Sequence, residues 1–102
     1  MHDAPLPDLV LYARPGCHLC DEARELATAI LDERRRAGLP TPTLVERDIE
    51  TNPDWERAFF TTMPVLELGE RRLELALSAG KIRRLIADAL DTPAARLDPV
   101  DA

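Results

Sequence analysis

The chain has only two cysteines, Cys17 and Cys20, in 102 residues. Two cannot build a disulfide framework, so the fold must rest on a hydrophobic core. They also fall short of a zinc site within one chain. Further nitrogen ligands would have to be His2 and His18, no second Cys-x-x-Cys is present, and His18 lies between the two sulfurs, badly placed to share their metal. No apolar run reaches membrane-spanning length, so no membrane is expected as partner. The N-terminus, Met1-His2-Asp3-Ala4-Pro5-Leu6-Pro7, has neither a basic nor an apolar segment. No signal peptide is expected, and the expected location is cytoplasmic, where thiols are held reduced and disulfides are transient. Positive charge is scarce as well: 13 Lys and Arg stand against 19 Asp and Glu, a net charge of −6. The one basic run, Arg34-Arg35-Arg36, reads as a helix end whose charge complements the dipole. Nucleic acid is not an expected partner. Repeats and low-complexity blocks are lacking, and the length fits one domain.

What is present centres on Leu9-Val10-Leu11-Tyr12-Ala13-Arg14-Pro15-Gly16-Cys17-His18-Leu19-Cys20. The apolar run Asp8 to Ala13 predicts a strand covered on both faces. Pro15-Gly16 breaks it. A helical pattern follows from about Cys17 to Ala37, with Leu19, Ala23, Leu26, Ala27, Ile30 and Leu31 on one apolar face. Cys17 thereby falls at a helix start, where free amides and the dipole favour a thiolate. Cys20, one turn on, is spaced to attack a mixed disulfide formed on Cys17. The pattern is that of a redox Cys-x-x-Cys. A chance pair of core cysteines is the bland alternative.

The rest alternates in the same way. Gly38 and Pro40 end the first helix. Pro42 to Ile49 predicts a second strand, parallel to the first and at an edge, with Val45 and Ile49 on one side and Leu44, Glu46 and Asp48 on the other. Asn52 or Thr51 caps a short helix from Pro53 to Phe60, with Trp55 and Phe59, and Ala58 beside them, facing a core. Val65 to Leu68 and Arg71 to Leu75 predict a hairpin around Gly69-Glu70 in a type II′ turn. Ser78 caps a last helix, Ala79 to Leu90, with Ile82, Leu85, Ile86, Ala89 and Leu90 inward. Residues 1–7 read as a loose lead-in, 8–90 as the domain, and 91–102 as an irregular tail.

Strand–helix–strand–helix–strand–strand–helix, with Cys17-His18-Leu19-Cys20 opening the first helix, Met63-Pro64-Val65 opening the third strand and the Gly69 hairpin, resembles the thioredoxin superfamily. More narrowly, the chain is similar to small glutaredoxin-like proteins. The resemblance covers about residues 8–90. It implies a three-layer α/β fold, a four-stranded mixed sheet with helices on both faces. It implies Cys17 as the nucleophile, Cys20 as the resolving thiol, and Pro64 as a cis-proline beside them. The Met63 backbone would pair with a bound thiol peptide such as glutathione. Arg14 would meet a carboxylate, and the helix start at Ser78 would hold another. His18 would stabilise the Cys17 thiolate or point to solvent. The chain departs from the glutaredoxin pattern in having His18-Leu19 where Pro-Tyr is usual, and in lacking a Gly-Gly-x-x-Asp element before the last helix.

The expected function is thiol–disulfide exchange as a monomer. The substrate would be a disulfide-bearing protein or a glutathione adduct. Glutathione or a reductase would serve as electron donor, and no cofactor beyond that is expected. Two other classes remain: a binding module with idle cysteines, and a dimer that shares a metal or iron–sulfur site.

Overall fold

Leu9–Ala13 forms the first strand, β1, and every second residue of it, Leu9, Leu11 and Ala13, is buried. The computed structural model describes residues 6–91. The lead-in and tail expected at 1–7 and 91–102 lie outside the described residues, except for Leu6, Pro7 and Asp91. A 19-residue helix, α1 (His18–Arg36), follows β1. It leads to β2 (Leu44–Asp48), a 3-10 turn (Ile49–Thr51), α2 (Pro53–Phe59), β3 (Val65–Leu68), β4 (Arg71–Leu73) and α3 (Ala79–Leu90). The strands lie in the order β2-β1-β3-β4. β2 runs parallel to β1, while β3 pairs antiparallel with β1 and β4 antiparallel with β3. This is the expected four-stranded mixed sheet.

The register divides the side chains between two faces. Leu9 and Leu11 sit opposite Leu68 and Leu66. This face meets α1 and α3 in the main core, with Ala23, Ala27, Ile30, Ile82 and Ile86. Full burial of one such Leu or Ile contributes on the order of 1.5–3 kcal/mol, so this layer dominates the stability. Tyr12 sits opposite Val65 on the other face. There α2 supplies Phe59 and Trp55, and the 3-10 turn supplies Ile49. Tyr12 packs edge-on to Trp55, with centroids 5.7 Å apart, and tilted on Phe59 at 4.4 Å. No helix among the described residues is long and apolar enough to cross a membrane.

Several expectations are corrected. Leu19 is 45% exposed rather than part of the buried face of α1. The buried stripe runs through Cys20, Ala23, Ala27, Ile30, Leu31 and Arg34, which leaves Leu19 and Leu26 on its flank. Arg34 does stand in the last turn of α1, as expected, and it is also enclosed. It is 7% exposed, donates to the Pro40 carbonyl at 2.9 Å, and forks onto both Asp91 oxygens at 2.9 and 2.8 Å. A Schellman motif turns the chain there, with Leu39 N–H on the Arg34 carbonyl and Gly38 N–H on that of Arg35. Ala58 is exposed, because so short a helix meets the sheet along one side only. α2 ends at Phe59, and Phe60 is its exposed C-cap. The second strand is shorter than expected because Ile49 leaves it for the 3-10 turn.

β4 ends at Leu73, not Leu75. The chain swings inward so that Leu75 N–H reaches the Thr62 carbonyl (2.9 Å) and Ala76 N–H the Pro64 carbonyl (2.8 Å). The swing places Leu75 at φ 48, in the left-handed region. For a residue with a Cβ this costs about 1–2 kcal/mol.

Candidate active site

The two cysteines stand where β1 gives way to α1. Arg14 to Cys17 make a tight turn with Pro15 first and Gly16 second, Gly16 at φ 75, closed by Cys17 N–H on the Arg14 carbonyl. This is type II geometry, which needs a glycine at its third position. The turn delivers Cys17 to the N-cap of α1 with extended backbone, φ −89 and ψ 108. Its Sγ accepts the Cys20 N–H at 3.1 Å, as a capping oxygen would. The sulfurs of Cys17 and Cys20 are joined as a disulfide, with Cα atoms 5.2 Å apart. Cys17 is half-buried, whereas Cys20 is wholly buried in the main core. One sulfur therefore faces the surroundings and the other the interior.

Antiparallel pairing of β1 and β3 puts the start of β3 beside the end of β1, since Tyr12 is opposite Val65. Met63 and Pro64 are thereby at the same end of the sheet as Cys17. The Met63–Pro64 bond is cis and Pro64 is buried. The loop before α3 is tied to this element by the Ala76 and Leu75 hydrogen bonds to Pro64 and Thr62. Ser78 accordingly joins the same end. Its hydroxyl accepts the Lys81 N–H at 3.2 Å and caps α3.

The remaining expected residues are placed as follows. His18 is the first residue of α1 and is exposed. Arg14 is half-buried, its guanidinium carbon 5.7 Å from the centroid of the exposed Phe60 ring. Its flank of the turn opens on a pocket of about 280 Å³, lined also by Asp21, Arg24, Glu46 and Asp48. Arg24 forks onto Glu46 (2.9 and 2.6 Å) and bonds Asp21 (2.8 Å). The hydrogen bond from Arg24 holds the Glu46 carboxyl below its ordinary range. Pairing through Met63 is only half available, because its N–H is held by the Phe59 carbonyl at 3.0 Å. No hydrogen bond of the described residues reaches its carbonyl.

Sequence reasoning passed over Phe60, Thr62 and Leu75, which surround the expected residues. None of the three carries a signal of this in the sequence, and Leu75 continues the alternation of the fourth strand. Behind the site, Tyr12 donates to Glu67 at 3.2 Å, and burial, followed by the Glu67 charge, raises its pKa. Among the described residues no cluster of three or more His, Cys, Asp or Glu could hold a metal ion. The cysteine pair sets a half-buried Cys17 under the first amides of α1, with Cys20 enclosed behind it.

A search of curated proteins found no match. Among solved structures, the X-ray structure of a Northeast Structural Genomics target protein from X. campestris is similar, at 29% identity and a TM-score of 0.63. The match covers 79% of this chain and 97% of that one. The family model of the glutaredoxin-like domain (DUF836) matches residues 8–88, from β1 into α3. With the sheet order, the Cys17–Cys20 pair at the start of α1 and the cis Met63–Pro64 bond at the same end of the sheet, the chain belongs to the glutaredoxin-like domain family.

Proposed function

We propose that the chain is a thiol–disulfide oxidoreductase with Cys17 as nucleophile and Cys20 as resolving thiol. The observation that carries this reading is the capping position of Cys17, whose sulfur takes the Cys20 amide at 3.1 Å while Cys20 itself is enclosed. Helix amides and the dipole stabilise the thiolate over the thiol. In the reduced protein the Cys17 thiolate attacks one sulfur of a substrate disulfide. A Cys17–substrate disulfide forms, and the other sulfur leaves as a thiolate. Cys20 gives up its proton and attacks the Cys17 sulfur. The Cys17–Cys20 disulfide forms, and the substrate leaves as a second thiolate. Two electrons have passed from the dithiol to the substrate. Two molecules of a thiol such as glutathione, or a dithiol reductase, return them.

The neighbours have matching parts in this scheme. The Met63 carbonyl accepts an N–H of the substrate backbone. Arg14 meets a substrate carboxylate, and the amides that open α3 beyond Ser78 favour negative charge. His18 at the helix start, when protonated, adds to the field on Cys17. Substrates are protein disulfides or glutathione adducts.

The test is intact mass after equilibration in glutathione redox buffers, acid quench and alkylation. The protein is expected to pass between dithiol and internal disulfide as the buffer potential changes. Cys17→Ser is expected to abolish exchange, and Cys20→Ser to accumulate a mixed disulfide on Cys17. Two free thiols across the whole redox range would end the reading and leave a binding module or a shared metal site.

A further inference from the structure

We propose that the redox end of the molecule receives a polypeptide disulfide with a large apolar side chain beside its cysteine, and that Leu75 selects it. This rests on the dithiol chemistry above. Five large apolar side chains are exposed among the described residues: Leu6, Leu19, Leu39, Phe60 and Leu75. Single exposed apolar residues are ordinary on any surface. Here three of the five stand on the segments that build one site. Leu19, 45% exposed, lies between the two cysteines. Phe60, 54% exposed, lies under the guanidinium of Arg14, three residues before Cys17. Leu75, 55% exposed, is bonded through its N–H to Thr62, next to the Met63–Pro64 element.

Leu75 carries the argument furthest. Its backbone is in the left-handed region, which glycine enters freely and leucine does not. The fold explains the backbone, because Ala76 must reach the Pro64 carbonyl and Leu77 N–H the Leu75 carbonyl. It does not explain the side chain, more than half of which is in solvent. A disfavoured conformation that keeps a bulky apolar group at the edge of a reactive centre points to a ligand contact. Arg14 forms no ion pair among the described residues and stands over Phe60, but the pocket on its flank is lined also by Asp21, Arg24, Glu46 and Asp48, so charges of both signs border the apolar rim. A chain with a large apolar residue beside its cysteine fits it. With the Met63 N–H occupied, backbone pairing holds that chain at the Met63 carbonyl alone and side-chain contacts must supply the rest. Glutathione, which has no large apolar side chain, leaves this rim unfilled.

The experiment compares two short peptides, each with one cysteine followed by Glu and joined to 2-nitro-5-thiobenzoate. Leu precedes the cysteine in one and Ser in the other. The reduced protein attacks the peptide sulfur, the Cys17–peptide disulfide forms, and the coloured thiolate leaves. Cys20 then displaces the peptide. The wild type is expected to react about tenfold faster with the Leu peptide, the scale of partial burial of one leucine. Leu75→Gly is expected to bring that ratio near one with an equal or higher melting temperature, and Leu75→Met to keep most of it. Because each variant is read as a ratio, a general loss of activity does not mimic the effect. Equal rates for the two peptides in the wild type, or an unchanged ratio in Leu75→Gly, overturn the proposal. Release from both peptides no faster than with a free-cysteine peptide overturns the dithiol reading itself, and this proposal with it.

Discussion

Thr62 stands one residue before Met63–Pro64, and its hydroxyl is buried with no hydrogen-bond partner among the described residues. A buried hydroxyl left unpaired costs about 1–3 kcal/mol. Thr62→Val keeps the shape and removes the polar atom. It is expected to raise stability by about 1 kcal/mol, several degrees of melting temperature for a domain of this size. A lower melting temperature would mean that the hydroxyl is satisfied. At the same scale, Cys17 and Cys20 were legible because their chemistry is written in spacing: one helical turn separates the cap from the first enclosed position. Thr62 and Leu75 were not. Neither an orphaned hydroxyl nor a left-handed backbone leaves a mark in periodicity. Leu75 even continued the alternation of Leu73 and misled it.

Among the elements, α1 and α3 are joined by the buried fork of Arg34 on Asp91, with side chains 9% and 29% exposed. Asp91→Asn leaves the guanidinium enclosed without its counter-charge. It is expected to cost about 2–3 kcal/mol, somewhat below a fully buried pair because Asp91 is partly wet. Adding Arg34→Met is expected to return much of this, since an apolar chain fits there without a charge to compensate. Urea denaturation midpoints measure both, and a double variant no more stable than the single would contradict the account. The helix boundaries were readable from caps: Asn52 with Pro53, Ser78, and Gly38 after the arginines. The buried face of α1 was less so. Its stripe contains a cysteine and an arginine, and a count of apolar residues alone rotates it toward Leu19. The pairing of Arg34 with Asp91, 57 positions apart, has no local signature.

Over the whole molecule, besides Arg72–Glu67 within the β3–β4 hairpin, three ion pairs of the described residues stitch elements together: Arg24–Glu46 between α1 and β2, and Arg34–Asp91 and Arg83–Glu33 between α1 and α3. Hydrogen bonds from the arginines hold all three carboxyls below their ordinary pKa. The unfolded chain therefore binds protons that the folded chain refuses. Stability from these pairs is complete above the ordinary carboxylate range and is lost as pH falls through the lowered values. Melting temperature is expected to be level from pH 7 to about 5 and to fall below about 4.5. In 0.5 M salt the two exposed pairs weaken more than Arg34–Asp91. The remaining acid slope should then shrink most in Asp91→Asn. An acid slope unchanged in that variant would remove the pair from the explanation.

Enclosure of Cys20 in the main core has a kinetic side. Whatever disulfide approaches the reduced protein can touch Cys17 alone, so under the proposed chemistry the first step is bimolecular and its rate follows the partner's concentration. The second step is not. Cys20 meets Cys17 from within the same turn of helix, at a rate set by how far that turn can flex. Crowding the solution with substrate would hasten arrivals and leave departures untouched.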